Sequence, residues 1–402
     1  MKKILITGGS HSEIPLIEAL RRLGDDIYII STGRDEGGLG HQRVDKYVRG
    51  DYSNRDFVLE LARNEGVEGI VSGCNDFAYL STAYACEALG LPGHDSYETA
   101  KRFHRKNVLR GICEELGVRV PHFQVISAES ELEQYDWEYP IIIKPTDLTG
   151  GKGVRRCNNL YEARQAYHMA VVMTRQNVVL AEEFVEGTNN GASMLLKDGR
   201  VVFAFFDNEE YYLNKYLVSG AYAPSYIPDH TRKAIKDGAE KIAQKMGLVD
   251  GLFHCQYIVD AEGIPYLIDP CRRTPGDMYV KLVEYSTGCR YAENIVRAEL
   301  AMDYDIPEKL TDKAIARECL MTDRNGMYIG MEIPGEYKKR IIDSIIWAEP
   351  GFLVDDYLKY KLGIVFYEFE NRQIQEYLLK YQYSNIVIHM KDVEGRPEEA
   401  ED

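Results

Sequence analysis

The chain has 402 residues, which is enough for two or three domains at roughly 100–200 residues each. Hydrophobic residues make up 45% and charged residues 28%, and these ordinary globular proportions exclude wholesale disorder. The formal net charge of −16 repels nucleic-acid phosphate, so we predict no nucleic-acid partner. An acidic surface still permits one basic cleft for a small phosphorylated ligand.

The apolar segments and the cysteines indicate the cellular compartment of the protein. No stretch approaches the ~18 uninterrupted apolar residues of a membrane span, so we predict no membrane contact. The first residues, MKKILITGG, contain an apolar run too short for a signal peptide, and they predict a buried first strand. The eight cysteines form no CxxC pair, which argues against a disulfide framework and a structural zinc site. We therefore expect a cytoplasmic protein.

The first 94 residues alternate strand and helix patterns. The predicted strands cover 4–7, 26–30, 47–51 and 69–73, and helices are predicted between Ser12 and Gly24, over 56–64 and over 79–89. This alternation predicts a parallel, doubly wound sheet. Gly8 and Gly9 lack the third glycine of a dinucleotide fingerprint, and the second strand ends without an acidic residue. Both observations disfavour a nicotinamide-dependent reductase or epimerase.

From residue 95 onward the pattern changes. In chain order we predict a helix over 97–116, strands from 123, a strand over 139–145, a glycine-rich loop over 149–154, a helix over 160–174, a strand at 178–180, a long mixed stretch to 226, a helix over 231–246, and a hairpin of 253–259 and 265–268. The hairpin ends in the polar run Asp269-Pro270-Cys271-Arg272-Arg273. Beyond residue 300 the sequence is mixed and rich in tyrosine.

Separated charged residues in this second part fit one kind of chemistry. Lys106, Lys144 and Lys152 offer positive charges, and Lys152 lies on a glycine loop whose N–H groups can approach oxyanions. Glu182 can accept a hydrogen bond from an exocyclic amine, and Asp269 adds a carboxylate. Lysines for phosphates and carboxylates for a magnesium ion are what phosphoryl transfer requires. Taken singly, each has an ordinary alternative as a solvated loop or strand end.

The segments PIIIKPTDLTGGKGV, VVLAEEFVEG and GLFHCQYIVDAEGIPYLIDPCRR, in this order, resemble the ATP-grasp superfamily of carboxylate–amine ligases. The resemblance covers 99–300 and extends over 1–94 to the N-terminal domain of biotin-carboxylase-like proteins. It implies an α/β fold with a doubly wound parallel-sheet domain before a two-subdomain ATP-grasp fold. The implied domains are 1–94 (Rossmann-like), 95–186 (helical linker and small lid subdomain), 187–300 (large subdomain with the hairpin) and 301–402 (mixed C-terminal subdomain).

The resemblance also implies an ATP site. Lys106 and Lys144 would contact the α and β phosphates of ATP, and the glycine loop would fold over the triphosphate. Glu182 would bind the adenine amine beside a backbone hinge. The implied ATP-binding residues are Lys106, Lys144, Thr149, Gly150, Gly151, Lys152, Gly153, Val154, Glu182, Glu183, Phe184 and Val185.

For magnesium and catalysis, the resemblance points to the hairpin, where this sequence departs from the family pattern. Asp269 and Gln256 would be the magnesium ligands, and Arg273 and Lys152 the catalytic residues, Arg273 stabilising an acyl phosphate and a tetrahedral intermediate. Gln256 stands where the family usually has glutamate, and Cys271 stands where it has asparagine. A glutamine amide brings no charge, and a thiol is a poor partner for magnesium.

The implied function is an ATP-dependent ligase that activates a small carboxylate as an acyl phosphate and joins it to an amine. The alternative is a catalytically weakened ATP-binding sensor or partner subunit. The retained lysines and Arg273 favour the ligase, whereas Gln256 and Cys271 favour the alternative. A homodimer is the default expectation for a soluble enzyme. The sequence leaves the identity of the carboxylate and the amine open.

Overall fold

The computed structural model describes residues 1–148, 150–381 and 385–393. The chain divides into two compact units, Met1–Asn208 with Ser225–Thr311 and Glu209–Pro224 with Asp312–Asp402. The second unit thus takes in a short segment, 209–224, from inside the predicted large subdomain. The four sequential domains remain a sequence prediction.

Nineteen strands and eleven helices are described. The strands are β1 (Lys2–Thr7), β2 (Ile27–Gly33), β3 (Lys46–Arg49), β4 (Gly69–Ser72), β5 (Phe123–Ile126), β6 (Ile141–Pro145), β7 (Arg155–Cys157), β8 (Val179–Glu183), β9 (Thr188–Lys197), β10 (Arg200–Tyr211), β11 (Val218–Ala223), β12 (Gly251–Val259), β13 (Pro265–Cys271), β14 (Ala314–Leu320), β15 (Gly326–Glu332), β16 (Ile341–Ile346), β17 (Leu353–Val354), β18 (Gly363–Phe369) and β19 (Val387–Lys391). The helices are α1 (Ile14–Leu23), α2 (Arg55–Glu65), α3 (Asp76–Leu89), α4 (Tyr97–His104), α5 (Lys106–Leu116), α6 (Leu160–Met173), α7 (Asp229–Met246), α8 (Tyr279–Thr287), α9 (Tyr291–Glu299), α10 (Gly335–Lys338) and α11 (Arg372–Leu379).

The N-terminal part of the first unit is a parallel sheet in the order β3-β2-β1-β4. Asn54 and Asn75 cap α2 and α3 through their side-chain oxygens, which accept otherwise unpaired N–H groups of the first turn. The sheet confirms the predicted doubly wound α/β class. The predicted second strand over 26–30 stops too early, because residues 31–33 continue β2 and pair with β3.

The predicted helix over 97–116 is in fact two helices. Arg105 has φ −77° and ψ 107°, which is extended backbone, so α4 ends at His104 and α5 begins at Lys106. The Lys106 N–H donates to the Thr146 carbonyl oxygen at 3.3 Å. The break therefore puts Lys106 at the N-terminal end of a helix, beside the segment that follows β6.

The lid subdomain of the first unit is an antiparallel sheet in the order β5-β8-β6-β7, covered by α6. Its apolar core includes Ile143 of β6, Ala181 of β8 and Tyr167 of α6. This packing fixes the strand that carries Lys144 against the strand that carries Glu182, since the two strands are hydrogen-bonded neighbours.

The larger sheet of the first unit has the strand order β13-β12-β9-β10. Met194, Phe253 and Tyr257 project from one face and pack with α5 and α7 in a buried apolar cluster. Two predictions fail here. The mixed stretch after 187 contains the long strands β9 and β10, and the polar residues Asp269 and Cys271 lie within β13 instead of following it. The polar residues of this sheet consequently alternate onto the opposite face from the core.

The second unit has strands in the order β11-β14-β18-β16 and a small sheet β17-β15-β19. Tyr337, Tyr367 and Leu378 belong to its apolar core. The buried Gln375 side chain donates to the Ala223 and Ile315 carbonyl oxygens, at 2.9 and 3.0 Å. These contacts hold the 209–224 segment to the C-terminal residues of the same unit.

The cysteines and the helices bear on the cellular environment of the protein. All eight cysteines lie in the described part of the chain, and no disulfide bond joins any two of them. Within the described residues, every helix is too short or too polar to cross a membrane.

The first unit contains a buried ion pair that allows a stability prediction. Arg272 Nε lies 2.9 Å from Asp95 Oδ2, and both side chains are almost completely buried. Asp95→Asn leaves the Arg272 charge uncompensated, so we expect the free energy of unfolding to fall by about 3–5 kcal/mol. Guanidinium denaturation at neutral pH measures the change.

The matched control is Asp237→Asn, which removes one partner of the exposed Lys233–Asp237 pair. Its effect should stay below about 1 kcal/mol, because water screens an exposed pair. An Asp95→Asn protein as stable as this control would show that the buried pair does not hold the unit together.

Candidate functional site

A polar row crosses the larger sheet on the face away from its apolar core. Asp269 pairs with Gln256, Gln256 pairs with Gly191, and Gly191 pairs with Asp207, across β13, β12, β9 and β10. Side chains of directly opposed residues project from the same face of a sheet. A Cβ atom at Gly191 would lie 2.6 Å from Asp207 Oδ2, so the missing side chain leaves room for this carboxylate. The sheet thus aligns two carboxylates and one amide.

Lys106 meets one end of this row. Its Nζ atom lies 2.5 Å from Asp269 Oδ1, and its side chain is mostly buried. The two residues are far apart in sequence. The interruption of the helix at Arg105 places Lys106 at the start of α5, facing the hairpin. The structure therefore joins a residue of the predicted phosphate site to a residue of the predicted magnesium site.

Glu182 is the centre of a buried charge network. Arg110 Nε donates to Glu182 Oε1 at 2.8 Å, and Lys144 Nζ lies 2.5 Å from Glu182 Oε2. Arg110 also donates to the carbonyl oxygens of Leu267 and Ile268 in β13, at 2.7 and 2.8 Å. The resemblance implies that Glu182 binds an adenine amine, whereas here both of its oxygens are engaged by cations.

Opposing effects set the charges in this network. Burial raises the pKa of Glu182, but the attraction of Arg110 and Lys144 outweighs it, and the pKa falls to about 2. Burial lowers the pKa of Lys144 to about 8, although Glu182 opposes the shift. Both groups consequently carry their charges at neutral pH.

Asp76, in the N-terminal part of the first unit, holds the Arg273 side chain. The Arg273 Nη2 atom donates to Asp76 Oδ2 at 3.0 Å, and His104 Nδ1 lies 3.9 Å from Asp76 Oδ1. Burial lowers the pKa of Arg273, but Asp76 and Asp269 raise it to a value above normal, so the guanidinium stays charged. Arg272, the other member of the arginine pair, is turned away into the buried pair with Asp95. Only Arg273 therefore reaches this cluster.

The glycine loop joins β6 to β7. Gly150, Gly151 and Gly153 have φ values of 66°, 71° and 74°, a left-handed conformation that favours glycine. Lys152 is exposed on this loop, and Val154 directly precedes β7. Thr149 lies outside the described residues. The loop thus leaves the strand that carries Lys144 without bringing Lys152 into the cluster.

The predicted hinge begins at Glu183, the last residue of β8. The Glu183 N–H donates to the His122 carbonyl oxygen at 2.9 Å, and the Phe184 N–H donates to Pro140 at 3.3 Å. The Phe184 ring is exposed, and Val185 is half-buried. These bonds fix the backbone direction immediately after Glu182.

Sequence reasoning missed two residues of the site. Arg110 lies one helical turn after Lys106, and this i, i+4 spacing is a signal that both point to one side of α5. Asp207 ends the apolar run VVFAFF, where a single buried carboxylate is unusual. The Tyr279 hydroxyl donates to Asp207 Oδ2. Among the described residues, no group of three or more His, Cys, Asp or Glu is arranged to hold a metal ion.

The chain is similar in sequence and in structure to ligases and to a biotin carboxylase domain, and one family model matches part of it. Residues 111–264 match the family model of the ATP-grasp domain. A phosphoribosylamine–glycine ligase from Pyrococcus horikoshii is 25% identical over 289 residues, which are 66% of this chain and 65% of that protein. An L-amino acid ligase from Bacillus licheniformis has a similar structure, with a TM-score of 0.83 at 19% identity over 98% of this chain and 99% of that one.

A third similar structure is the biotin carboxylase domain of the 2-oxoglutarate carboxylase from Hydrogenobacter thermophilus, in complex with MgADP. The TM-score is 0.77 at 17% identity, and the likeness covers 97% of this chain and 91% of that one. The parallel sheet, the lid subdomain and the hairpin therefore define an ATP-grasp fold. Residues 111–264 therefore match the ATP-grasp domain that the motifs predict, and the aligned part of the chain spans slightly less than two thirds of the P. horikoshii ligase.

The Glu182 network leads to a prediction about pH. Because the folded-state pKa of Glu182 is lowered from 4.5 to about 2, its stabilising effect is complete above pH 4.5 and is lost as the pH falls towards 2. At neutral pH, Glu182→Gln should lower the free energy of unfolding by about 3–5 kcal/mol. The difference from the wild type should shrink when denaturation is repeated between pH 4.5 and pH 2.

Glu186→Gln, an exposed change close by in sequence, is the control. It should differ from the wild type by no more than about 0.5 kcal/mol at every pH. A Glu182→Gln deficit that stays constant through this pH range would contradict the ionic role of Glu182.

Proposed function

We propose that the protein is an ATP-dependent ligase that activates a small carboxylate as an acyl phosphate and joins it to an amine, releasing ADP and phosphate. One observation carries the proposal: Lys106 and Arg273, from separate elements, both interact with Asp269, and Lys144 lies near Lys106. Lys106 contacts Asp269 directly, Lys144 lies close enough to Lys106 for their charges to interact, and Arg273 interacts with Asp269. Phosphoryl transfer requires positive charge around the transferred phosphate and a carboxylate to hold the metal ion.

The residues present fit ATP. Lys144 and Lys106 supply charge for the phosphates, and Lys106 also begins α5, whose N-terminal end carries a partial positive charge. The glycine loop follows the strand of Lys144, and its left-handed residues leave N–H groups unobstructed by side chains. When a triphosphate binds, Lys106 can exchange Asp269 for a phosphate oxygen. That exchange would free Asp269 for a cation.

The hairpin fits a magnesium ion with few protein ligands. Asp269 and Gln256 are direct neighbours and offer a carboxylate and an amide oxygen, which are hard donors. Asp207 adds a second carboxylate to the same row. A bound magnesium ion would offset negative charge on the phosphates. Because the protein supplies little negative charge from Gln256, phosphate oxygens and water would complete the coordination.

Arg273 is suited to the transferred group. In the first step, a substrate carboxylate oxygen attacks the γ-phosphorus of ATP, and ADP leaves. In the second step, the amine nitrogen attacks the acyl carbon, phosphate leaves, and the amine gives up a proton. Asp76 fixes the Arg273 guanidinium, which can then stabilise the oxyanions of both steps without reorganising. The protein contributes position and charge, not a covalent nucleophile.

A second candidate is an ATP-binding sensor or partner subunit with weak turnover, and Cys271 is the observation that favours it. Cys271 is buried opposite His254 in the row beside Gln256. Burial raises the pKa of its thiol to about 12, so at neutral pH it is uncharged and unsuited to magnesium. The row therefore has less negative charge than a site built from glutamates.

The cellular location and the partners of the protein are part of the same proposal. Eight cysteines without a disulfide bond support a reducing compartment, and we expect the cytoplasm. The expected small-molecule partners are the carboxylate and the amine, and a homodimer stays a prediction.

The experiment that separates the two candidates measures ADP release with MgATP and pools of amino acids and other small carboxylates. A ligase should release ADP rapidly only when a carboxylate and an amine are present together. Lys144→Met should weaken ATP binding by at least about tenfold, because a charge-assisted hydrogen bond contributes about 1.5–3 kcal/mol. Calorimetry measures the affinity.

Lys236→Met, an exposed lysine of α7, is the matched control and should bind ATP like the wild type. Tight ATP binding without carboxylate-dependent ADP release would support the sensor. Unchanged ATP affinity in a folded Lys144→Met protein would rule out the assignment of Lys144 to the phosphates.

The hairpin ligands give a paired prediction. Asp269→Asn should abolish magnesium-dependent ADP release, because it removes the charge that holds a hard cation against the phosphates. Gln256→Glu should lower the magnesium concentration needed for half-maximal ADP release, because it restores a second carboxylate beside Asp269. Magnesium titrations of ADP release measure both effects.

Glu262→Gln changes an exposed carboxylate in the turn of the same hairpin and should leave the magnesium response unchanged. If Asp269→Asn retains the wild-type magnesium response, then the hairpin is not the magnesium platform.

A further inference from the structure

A second basic cavity lies in the first unit, apart from the residues proposed to hold ATP and magnesium. It has a volume of about 310 Å³ and is bounded by α3, α4, the segment before α2, and the residues near 147 and 175. Arg55, Lys101, His104, Arg105 and Arg175 line it. We propose that this cavity binds a small phosphorylated ligand. The proposal concerns binding and does not depend on the ligase activity.

The charge of the lining is the reverse of the charge of the chain. The protein has a net charge of −16, yet four cationic side chains and a histidine face one acidic residue, Asp147, in this cavity. Asp147 is already engaged, because its two carboxylate oxygens accept from Thr174 Oγ1 at 2.7 Å and from the Arg175 N–H at 3.0 Å. Outside the lining, Lys101 pairs with the exposed Glu98. A local excess of positive charge therefore remains.

Aromatic rings orient two of these arginines, and the nearest carboxylate to Arg55 is the exposed Asp56, whose Oδ1 atom lies 4.0 Å from Arg55 Nε. The Arg175 guanidinium lies 4.3 Å from the centre of the Phe77 ring. The Arg55 guanidinium lies 4.6 Å from the Tyr84 ring centre and donates to the Tyr97 hydroxyl at 2.8 Å. A cation stacked on a ring is oriented without losing its charge. These side chains are thus ordered in advance and still able to bind an anion.

The remaining lining groups also favour an anion. Within the described residues, Arg105 and Arg175 form no ion pair. The His104 ring packs edge-on against Phe77, and its Nε2 atom is buried without a hydrogen-bond partner in the described part of the chain. The hydroxyl-bearing residues Ser53 and Ser81 complete the polar lining. Donors thus outnumber acceptors around the cavity.

The geometry points to phosphate rather than to a single carboxylate. Guanidinium groups offer forked donors that match phosphate oxygens, and several cations are suited to a group with two negative charges. The volume is at the small end of ligand pockets, which suits a metabolite and excludes a polymer. The cavity shares its His104 wall with the site that contains Asp76, so its occupant would lie next to the candidate active site.

The test is calorimetric titration of the full chain with inorganic pyrophosphate. Arg105→Gln and Arg175→Gln should each weaken binding by at least about tenfold, since each removes a charge-assisted hydrogen bond. Arg102→Gln is the matched control, because Arg102 is an exposed arginine of α4 outside the cavity lining. Lys144→Met reports on the other phosphate-binding cluster. The control should bind pyrophosphate within about twofold of the wild type, and the effects of the Arg105 and Arg175 variants should persist in a Lys144→Met background.

Other results would overturn the proposal. One is absence of pyrophosphate binding at millimolar concentration. Another is loss of binding in Lys144→Met while the Arg105 and Arg175 variants bind normally, which would assign pyrophosphate to the ATP site. Equal binding of malonate, a dicarboxylate, would overturn the choice of phosphate. Arginine side-chain NMR signals of the wild-type protein give a readout that needs no folded variant, and pyrophosphate should shift Arg105 and Arg175 but not Arg102.

Discussion

The buried Glu182 carboxylate is the interaction on which the candidate site depends. It accepts from Lys144 of the lid sheet and from Arg110 of α5, and Arg110 in turn donates to two carbonyl oxygens of β13. One carboxylate thus ties the β5-β8-β6-β7 sheet, α5 and the β12–β13 hairpin together. Removing either cation or the carboxylate would leave a buried charge without compensation, which is far more costly than losing an exposed pair. The network therefore constrains which residues can face the proposed phosphate site.

The sheet below this network shows how a family pattern can change without losing its geometry. Asp269, Gln256 and Asp207 lie in one row, and Gly191 gives Asp207 the space to extend along it. Replacing a glutamate by Gln256 keeps an oxygen donor in the row but removes a charge. The proposed ligase must consequently obtain more of its magnesium coordination from the nucleotide.

The arginines of the first unit are positioned in two physically different ways. Arg272 and Arg273 are held by the carboxylates of Asp95 and Asp76, so their charges are largely compensated within the protein. Arg55 and Arg175 are held by aromatic rings, which orient a guanidinium and leave its charge available. Arg272 thus supports the fold and Arg273 is fixed at the candidate site, whereas the ring-stacked arginines can attract an anionic ligand to a basic cavity in an acidic chain.

By itself, the sequence determined the alternating strands and helices of the N-terminal sheet, the glycine loop and the order of the ATP-grasp motifs, because these follow from local spacing and from residue types with strong backbone preferences. Only the tertiary structure decided the break at Arg105, the partnership of Arg110 with Glu182, and the place of Asp207 in the polar row. Tertiary contacts also separated the adjacent Arg272 and Arg273, one turned towards Asp95 and the other towards Asp76. Strand register and burial bring together residues distant along the chain, and the free energy of an ion pair depends on how completely its partners are removed from water, which no local pattern records.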